Sequence, residues 1–347
     1  MSAVPILAFF NNKGGVGKTS LVYHIAHMCA ILDIRVLAAD LDPQSNLTSA
    51  FLPDEELEDL WNEKTDYTTL YKCVHPLIKG TGDVDTPAPY HIDDNIFLLP
   101  GDLQLSGFED QLSESWPKCN DGDERAFRVT SAFWRLLQQS ASDNNVQLIL
   151  MDLGPNLGAL NRVALISADY VVMPLAPDLF SLQGLKNLGP TLKRWNTQWK
   201  ERSPRADDMD FEVPLGDISP LGYVIMQHSE RLKRPTKAYA QWAEQVPALY
   251  REYVLQQAHV QDDLSPSADE YCLSFIKHFR TLMPLAQEAR KPIFLLKAAD
   301  GVLGGHNKYV QAAYDLFKSF TEKLLRVIGL QPSEMIQQSL FSEGKGK

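Results

Sequence analysis

Residues 4–20 read VPILAFFNNKGGVGKTS, and this stretch decides the fold. Its apolar part, residues 5–10, predicts a short buried strand, and residues 18–32 predict a helix. The glycines between them let successive backbone N–H groups turn inward toward a polyphosphate at the positive end of the helix dipole. A glycine-rich turn between a strand and a helix is the setting of a phosphate-binding loop. Its predicted nucleotide-binding residues are Lys13, Gly14, Gly15, Val16, Gly17, Lys18, Thr19 and Ser20.

Two side chains of this loop have predicted chemical roles. Lys18 would reach the β- and γ-phosphates, and the Thr19 hydroxyl would ligate Mg²⁺. Asn12 stands where the strict pattern has glycine, so the chain departs from the general form at that position. The loop therefore predicts a nucleotide bound together with Mg²⁺.

Apolar strands alternate with helices beyond the loop. Strands are predicted at 35–39, 95–100, 146–151, 169–175, 221–226 and 293–296, and helices at 125–139, 179–195 and 310–327. Strands that are apolar throughout and alternate with helices indicate an α/β fold, with a mostly parallel sheet covered by helices on both faces. We interpret residues 1–347 as a single domain. Within it, residues 53–91 are acidic and irregular in pattern, and residues 237–290 predict a helical insertion near the C-terminal part.

Composition excludes several classes of protein. The 347 residues are 44% hydrophobic and 22% charged, which is typical of a globular chain. The four cysteines lie far apart without a CxxC pair, so neither a disulfide framework nor a zinc ribbon is indicated. No apolar run is long enough to span a bilayer, and we expect a cytoplasmic location. The formal net charge of −11 argues against a protein that coats nucleic acid all over, but not against a local basic patch.

Acidic residues follow two of the predicted strands. Asp40 and Asp42 end the second strand, where carboxylates can orient an attacking water and hold the hydration shell of Mg²⁺. Asp152 ends the strand at 146–151, which is the Walker B arrangement, and would accept from Mg²⁺-bound water. Gly154 would let a backbone N–H approach the γ-phosphate, which makes this segment a predicted switch II.

The motifs together resemble those of the ParA/MinD family of ATPases. KGGVGKT, residues 13–19, resembles the family's deviant Walker A motif, and residues 40–46 resemble its DxDPQxN switch I segment. The resemblance implies that the chain binds ATP and Mg²⁺, and that Lys13 crosses a dimer interface to the nucleotide of the partner. It also implies that Lys13, Lys18 and Asp42 are catalytic, with Asp42 activating water, and that Thr19, Asp40 and Asp152 serve the metal. Gly154 departs from the DxPP version of switch II.

The resemblance is closest to ParA-type partition ATPases without an N-terminal helix-turn-helix. It implies an ATP-bound homodimer that binds DNA nonspecifically to partition or position DNA or another cargo, and that is stimulated by a ParB-like or other protein partner. The candidate DNA-binding residues form the densest basic run of the chain; they are Arg231, Lys233, Arg234 and Lys237. Residues 277–280, Arg290, Lys291 and Lys297 are further basic candidates.

The sequence also allows comparison with other functions of related proteins. A regulatory relative would bind a protein partner through the insertion and would not bind DNA. MinD-like members reach membranes through an amphipathic C-terminal helix, whereas the tail at 335–341 is short and lacks a basic face, so we expect no stable membrane association. A nitrogenase-type iron protein would need paired cluster-ligating cysteines, and a bacterial tyrosine kinase would need tyrosines in residues 328–347, which have none.

Overall fold

The computed structural model describes residues 3–62, 64–228, 237–257, 264–279, 281–302 and 306–331. Its strands are β1 (Ile6–Phe9), β2 (Val36–Asp40), β3 (Tyr90–Asp93), β4 (Ile96–Leu99), β5 (Leu148–Asp152), β6 (Tyr170–Leu175), β7 (Ser219–His228) and β8 (Cys272–Lys277). The strands of these described residues form one sheet in the order β3-β4-β2-β5-β1-β6-β7-β8. Neighbouring strands are parallel except for β3, which runs antiparallel to β4. The predicted fold class is confirmed.

Helices cover this sheet. They are α1 (Lys18–Ile31), α2 (Asn46–Phe51), α3 (Asp54–Trp61), α4 (Leu70–Lys79), α5 (Glu109–Lys118), α6 (Glu124–Thr130), α7 (Ala132–Asp143), α8 (Ala159–Ser167), α9 (Leu179–Arg202), α10 (Lys237–Ala243), α11 (Val246–Leu249), α12 (Leu282–Ala289) and α13 (Asn307–Val327). Among these described helices, none has both the length and the hydrophobicity that crossing a bilayer requires.

Side chains of each central strand alternate between two hydrophobic cores. In β1, Ile6 and Ala8 pack into the core that contains α7, α8 and α9, whereas Leu7 and Phe9 pack into the core that contains α1 and α13. Because strand side chains point alternately to the two faces, a strand that is apolar throughout must be covered on both sides. This explains the unbroken hydrophobic runs in the sequence.

Two predictions about local structure are wrong. The acidic stretch 53–91 is not irregular throughout, since it contains α3 and α4. Its acids fill the first turn of α3, where they favour the helix dipole, and Thr69 caps α4 by accepting from the Lys72 N–H. The apolar run 293–296 forms a 3₁₀ turn at Ile293–Leu295 instead of a strand. It is apolar because Phe294 packs against the ring of Phe317 in α13, with 5.6 Å between ring centroids.

The prediction of a helical insertion at 237–290 needs a correction. The segment contains α10, α11 and a π-helical turn at Tyr250–Val254, but it also contains β8. This strand pairs in parallel with β7, with Tyr223 opposite Cys272 and Ile225 opposite Phe275. Residues 272–277 are therefore part of the main sheet. Cys272, Leu273 and Ile276 of this strand are buried. The division of the chain into one domain with an insertion stays a prediction.

A buried histidine ties α1 to the 3₁₀ turn at Ile293–Leu295. The Nδ1–H of His24 donates to the Ser20 carbonyl at 2.6 Å, and its Nε2 accepts from the Ile293 N–H at 3.2 Å, so both ring nitrogens are satisfied only in the neutral tautomer. Burial lowers the pKa of His24 to about 4. The pKa of His24 is thus lower in the folded than in the unfolded protein. Its contribution to the free energy of unfolding is therefore complete above about pH 6.5.

We expect this contribution to disappear as the pH falls from 6.5 toward 4, because the unfolded chain then binds a proton that the folded chain rejects. A shift of this size corresponds to a loss of up to about 3 kcal/mol in the free energy of unfolding. His24→Gln should start from a lower stability at pH 7.5 and show a shallower decline in urea unfolding across this range. The exposed His91 offers the control, since His91→Gln should keep the slope of the parent protein. Equal slopes in all three proteins would refute the assignment.

Candidate functional site

The phosphate-binding loop lies between β1 and α1, as predicted. Gly17 precedes α1 in a left-handed conformation, with φ 88°, which favours glycine over other residues. A Cβ at this position would also lie 2.7 Å from the Cε of Met226 in β7. The backbone turn thus favours glycine here, and any side chain would also have to displace the flexible end of Met226.

The loop opens into a cavity of about 660 Å³. One wall consists of the loop itself, together with Asp42 and Pro155 from the ends of β2 and β5. The opposite side comprises Met283 and Ala286 of α12, followed by the basic residues Arg290 and Lys291. A cavity of this volume is within the range of small-ligand and cofactor sites.

Lys18 fills the centre of the loop. Its side chain is buried, and its Nζ donates to the carbonyl oxygens of Asn11 at 3.3 Å and Lys13 at 3.4 Å. Burial lowers the pKa of the ammonium, and the carboxylates of Asp152 and Asp42 act in the opposite direction. The predicted phosphate-binding lysine therefore lies among acidic groups inside the loop.

The sheet register brings two predicted acids together. Asp40 of β2 is paired with Asp152 of β5, and Phe9, at the end of the loop-bearing strand, is paired with Asp152 on the other side. Asp152 is fully buried, and neither of its carboxylate oxygens reaches a hydrogen-bond partner with normal geometry. Burial and the Asp40 carboxylate raise its pKa well above the usual range, and the Thr19 hydroxyl and the Lys18 ammonium offset only part of this effect.

A buried carboxylate without a hydrogen-bond partner is suited to binding a cation. A buried polar atom without a partner is rare and costly, and a divalent cation with its bound waters would satisfy both oxygens. The described residues hold no cluster of three or more His, Cys, Asp or Glu side chains that could hold a metal by themselves. Asp152 and the Thr19 hydroxyl therefore fit Mg²⁺ of the kind that takes its remaining ligands from water and phosphate oxygens.

The two switch I acids have different partners. The carboxylate of Asp40 accepts from the Thr48 N–H at 2.8 Å, the Thr48 hydroxyl at 2.7 Å and the Asp42 N–H at 3.3 Å. These bonds hold α2 against the end of β2, so the contacts of Asp40 order the switch I segment, and its predicted role in metal binding stays a prediction. The Asp42 carboxylate accepts from the Gln44 N–H, at 3.0 Å, and lines the cavity.

Switch I and switch II are in contact at Gly154. A Cβ at this position would lie 3.2 Å from Oδ1 of Asp42, so a side chain here would press on the predicted catalytic carboxylate. The segment is held from behind by Asn161 of α8, whose Nδ2 donates to the carbonyl oxygens of Gly154 at 2.9 Å and Asn156 at 2.7 Å. Sequence reasoning missed Asn161, since a lone asparagine within a helix carries no signal of such a role.

Lys13 reaches out of the loop to a different partner from that of Lys18. Its ammonium forms an ion pair with Asp178, which follows β6, and lies 6.0 Å from the ring centroid of Phe180. The side chain of Lys13 is 30% exposed. Asp178 is a second residue that sequence reasoning missed as part of the site. Its position before Leu179 is a readable helix cap, but the pairing with Lys13 joins positions 165 residues apart.

The sequence of the chain is similar to those of known proteins. A profile of the family described as "AAA domain" matches residues 4–203, which is more than half of the chain. The sporulation initiation inhibitor protein Soj of Bacillus subtilis is 31% identical over 188 residues, which are 54% of this chain and 64% of Soj. The chromosome partitioning protein ParA of Caulobacter vibrioides is 30% identical over 200 residues, which are 56% and 65% of the two chains.

The chain is a member of the ParA/MinD family of P-loop ATPases. The family predicted from the loop and switch motifs is thereby confirmed. The matches to Soj and ParA span less than two thirds of the length of each relative.

Solved structures extend the likeness of this ParA/MinD-family chain to its whole fold. The crystal structure of protein DIP2308 from Corynebacterium diphtheriae has a TM-score of 0.65 and 24% identity, and covers 93% of this chain and 98% of its own. The McdA(D38A)–ATP complex from Cyanothece has a TM-score of 0.60 and 16% identity, and covers 95% and 98%. At these identities the likeness concerns the fold.

Most of the candidate DNA-binding residues of this chain lie outside the residues that the structure describes. Arg231, Lys233 and Arg234 lie beyond the described residues, and Lys237 begins α10 without a described side chain. Other basic candidates have acidic partners: Arg290 pairs with Asp54 at 2.7 Å, and Lys291 pairs with Asp300 at 2.6 Å. The tail at 335–341, for which we expect no stable membrane association, also lies outside the described residues.

Proposed function

We propose that the protein is a Mg²⁺-dependent ATPase of the ParA type, whose ATP-bound form is a homodimer that binds DNA nonspecifically and thereby partitions or positions DNA or another cargo. The observation that carries this proposal is the separation of the two loop lysines. Lys18 donates to a carbonyl oxygen inside the loop of its own subunit, whereas the Lys13 ammonium pairs with Asp178 outside the loop. A second cation placed in this way is suited to the nucleotide of another subunit.

The chain's own residues would divide the work of hydrolysis as follows. The loop N–H groups and Lys18 bind the triphosphate and hold its charge in place. Asp42 orients the attacking water and accepts its proton at a carboxylate oxygen, from a position against Gly154. Thr19 and Asp152 would hold Mg²⁺, with Asp40 as a further predicted support. When bound, Mg²⁺ neutralises charge on the phosphate oxygens.

Lys13 supplies the step that needs two subunits. A cation from the partner stabilises the charge that develops on the phosphates, as an arginine finger does. Hydrolysis then requires the dimer, and loss of the γ-phosphate removes a group that both subunits would contact. This couples assembly to the nucleotide state, and a ParB-like or other protein partner would act by accelerating the hydrolytic step.

A second function has support from the pairing of the basic residues. Because Arg290 and Lys291 each have an acidic partner, less positive charge is free for DNA on this side of the cavity. A regulatory ATPase that binds a protein through the segment 237–290, without DNA, agrees with this observation. In that case the dimer would form without DNA retention.

Light scattering of the purified protein tests both functions. ATP and Mg²⁺ should raise the measured mass from 39.0 kDa toward twice that value, and random duplex DNA should be retained only with ATP, with affinity falling steeply as salt rises. Lys18→Ala, which cannot hold the triphosphate, is the matched control for both effects. A dimer without DNA retention would select the regulatory function. A mass that stays at 39.0 kDa under every condition would end the ParA-type proposal.

A further inference from the structure

Lys13 has an intramolecular partner that its proposed role in a second subunit does not require. Its Nζ forms an ion pair and hydrogen bond with Oδ2 of Asp178. Asp178 lies just beyond the end of β6, the strand that pairs with β1 and thus flanks the loop. The contact therefore holds the Lys13 side chain against its own subunit, beyond the carboxyl end of β6.

Asp178 can hold this position because its other oxygen is fixed. Oδ1 accepts from the Ser181 N–H at 2.9 Å and caps the N-terminus of α9. Oδ2 is left for Lys13, whose own backbone N–H donates to Oδ1 of Asn11 at 3.0 Å. Both ends of the ion pair are thus anchored to the backbone of the same subunit, through the loop on one side and α9 on the other.

The ion pair competes with the reach of Lys13 into another subunit. One ammonium group cannot lie on Asp178 and at the phosphates across an interface at the same time. When Lys13 leaves, the Asp178 carboxylate loses the attraction of this ammonium, so the departure has an electrostatic cost. If only a fraction of the subunits has Lys13 free of Asp178, the apparent affinity of dimerisation falls in proportion to that fraction.

We propose that Asp178 is a positioning residue, which retains Lys13 on its own subunit and thereby sets the threshold for ATP-dependent dimerisation. The inference rests on the dimer proposed above. The pair is partly exposed, with 30% of the Lys13 side chain and 39% of the Asp178 side chain accessible, so its effect is moderate. Exposed pairs change an equilibrium constant by roughly 1.4- to 5-fold. A symmetric dimer releases two lysines, so its dissociation constant would change by roughly 2- to 25-fold.

The substitution Asp178→Asn separates the two jobs of this side chain. Asparagine caps a helix as well as aspartate does, so α9 should keep its N-terminal bond while the charge on Lys13's partner disappears. Asp178→Glu, which retains the charge, should behave like the parent protein. Asp217→Asn is the matched control, because it removes an exposed lysine–aspartate pair, with Lys200 at 2.6 Å, and changes the net charge equally.

Two measurements on these proteins test the inference. Without nucleotide, acetylation of Lys13 by acetic anhydride, followed by peptide mass spectrometry, should be roughly 1.4- to 5-fold faster in Asp178→Asn than in the parent protein or Asp217→Asn. With ATP and Mg²⁺, light scattering should show half-dimerisation of Asp178→Asn at a lower protein concentration, while Asp178→Glu and Asp217→Asn match the parent.

Each unfavourable result has its own meaning. Equal acetylation rates in all variants would overturn the retention of Lys13, whether or not ATP produces a dimer. A weaker dimer in Asp178→Asn would overturn the competition, because Asp178 would then be preparing Lys13 for the partner. If the parent protein forms no dimer with ATP, the proposed function fails together with the threshold, and acetylation alone reports on the ion pair.

Discussion

Replacing Lys13 by alanine is expected to remove the ATP-dependent dimer and to lower ATP turnover by roughly 10³-fold or more, the effect of losing an arginine finger. ATP binding to the single subunit should change little. The reason is that the Lys13 ammonium contacts Asp178, whereas Lys18 fills the loop, and the backbone N–H of residue 13 survives the substitution. Light scattering, steady-state hydrolysis and equilibrium binding of a fluorescent ATP analogue measure the three properties.

The control for this prediction is Lys200→Ala. It removes another partly exposed lysine, paired with Asp217, that lies outside the cavity, and it should leave all three properties unchanged. Normal dimerisation of Lys13→Ala would contradict the role in the partner subunit. A loss of ATP affinity as large as that of Lys18→Ala would instead place Lys13 in its own nucleotide site.

The second large effect is expected for Asp42→Ala, which should lower turnover by roughly 10²- to 10⁴-fold, the range of general acid–base catalysis. Asp42 lines the cavity, and among the described residues its carboxylate accepts from the Gln44 N–H, so it retains acceptor capacity for a water. Because the triphosphate is bound but not cleaved, the variant should accumulate as an ATP-bound dimer. Light scattering over time after ATP addition would show a dimer that persists, where the parent protein reverts to 39.0 kDa.

Asp42→Asn tells catalysis from local order. Its amide oxygen can still accept from the Gln44 N–H, so the switch I backbone should stay in place, but it cannot take a proton from water. We expect it to be as slow as Asp42→Ala. Substantial hydrolysis by Asp42→Asn would show that position 42 acts only by holding the backbone, and undiminished turnover in both variants would reject its catalytic role.

The catalytic half of the site is readable from sequence because its residues follow strands. The loop, Asp42 and Asp152 each come directly after an apolar run, and the parallel sheet brings the ends of β1, β2 and β5 together. Local patterning and position in the chain suffice for these residues. Asp178 and Asn161 were missed because their partners, Lys13 and the Gly154 carbonyl, are set by strand order and loop shape, which no local pattern encodes.

The fold shows the same division. Central strands were predicted because burial on both faces leaves an unbroken hydrophobic run. The edge strand β8 was missed because Ser274 and Phe275 are only half-buried and helix-like composition surrounds it. The run 293–296 was mistaken for a strand because burial under α13 gives a short apolar segment the same composition. Short apolar runs do not distinguish these two environments by periodicity.

The Asp152 carboxylate, which has no hydrogen-bond partner of normal geometry among the described residues, is a point of local frustration in the core. An uncharged side chain of similar shape would suit the folded chain better, so the residue weakens the scaffold that displays it. Natural proteins depart from the rules of packing and hydrogen bonding mainly where chemistry demands it. If Asp152 serves Mg²⁺ as proposed, selection at this position exchanges thermodynamic stability for activity, and variants chosen for robustness alone would drift toward an inert fold.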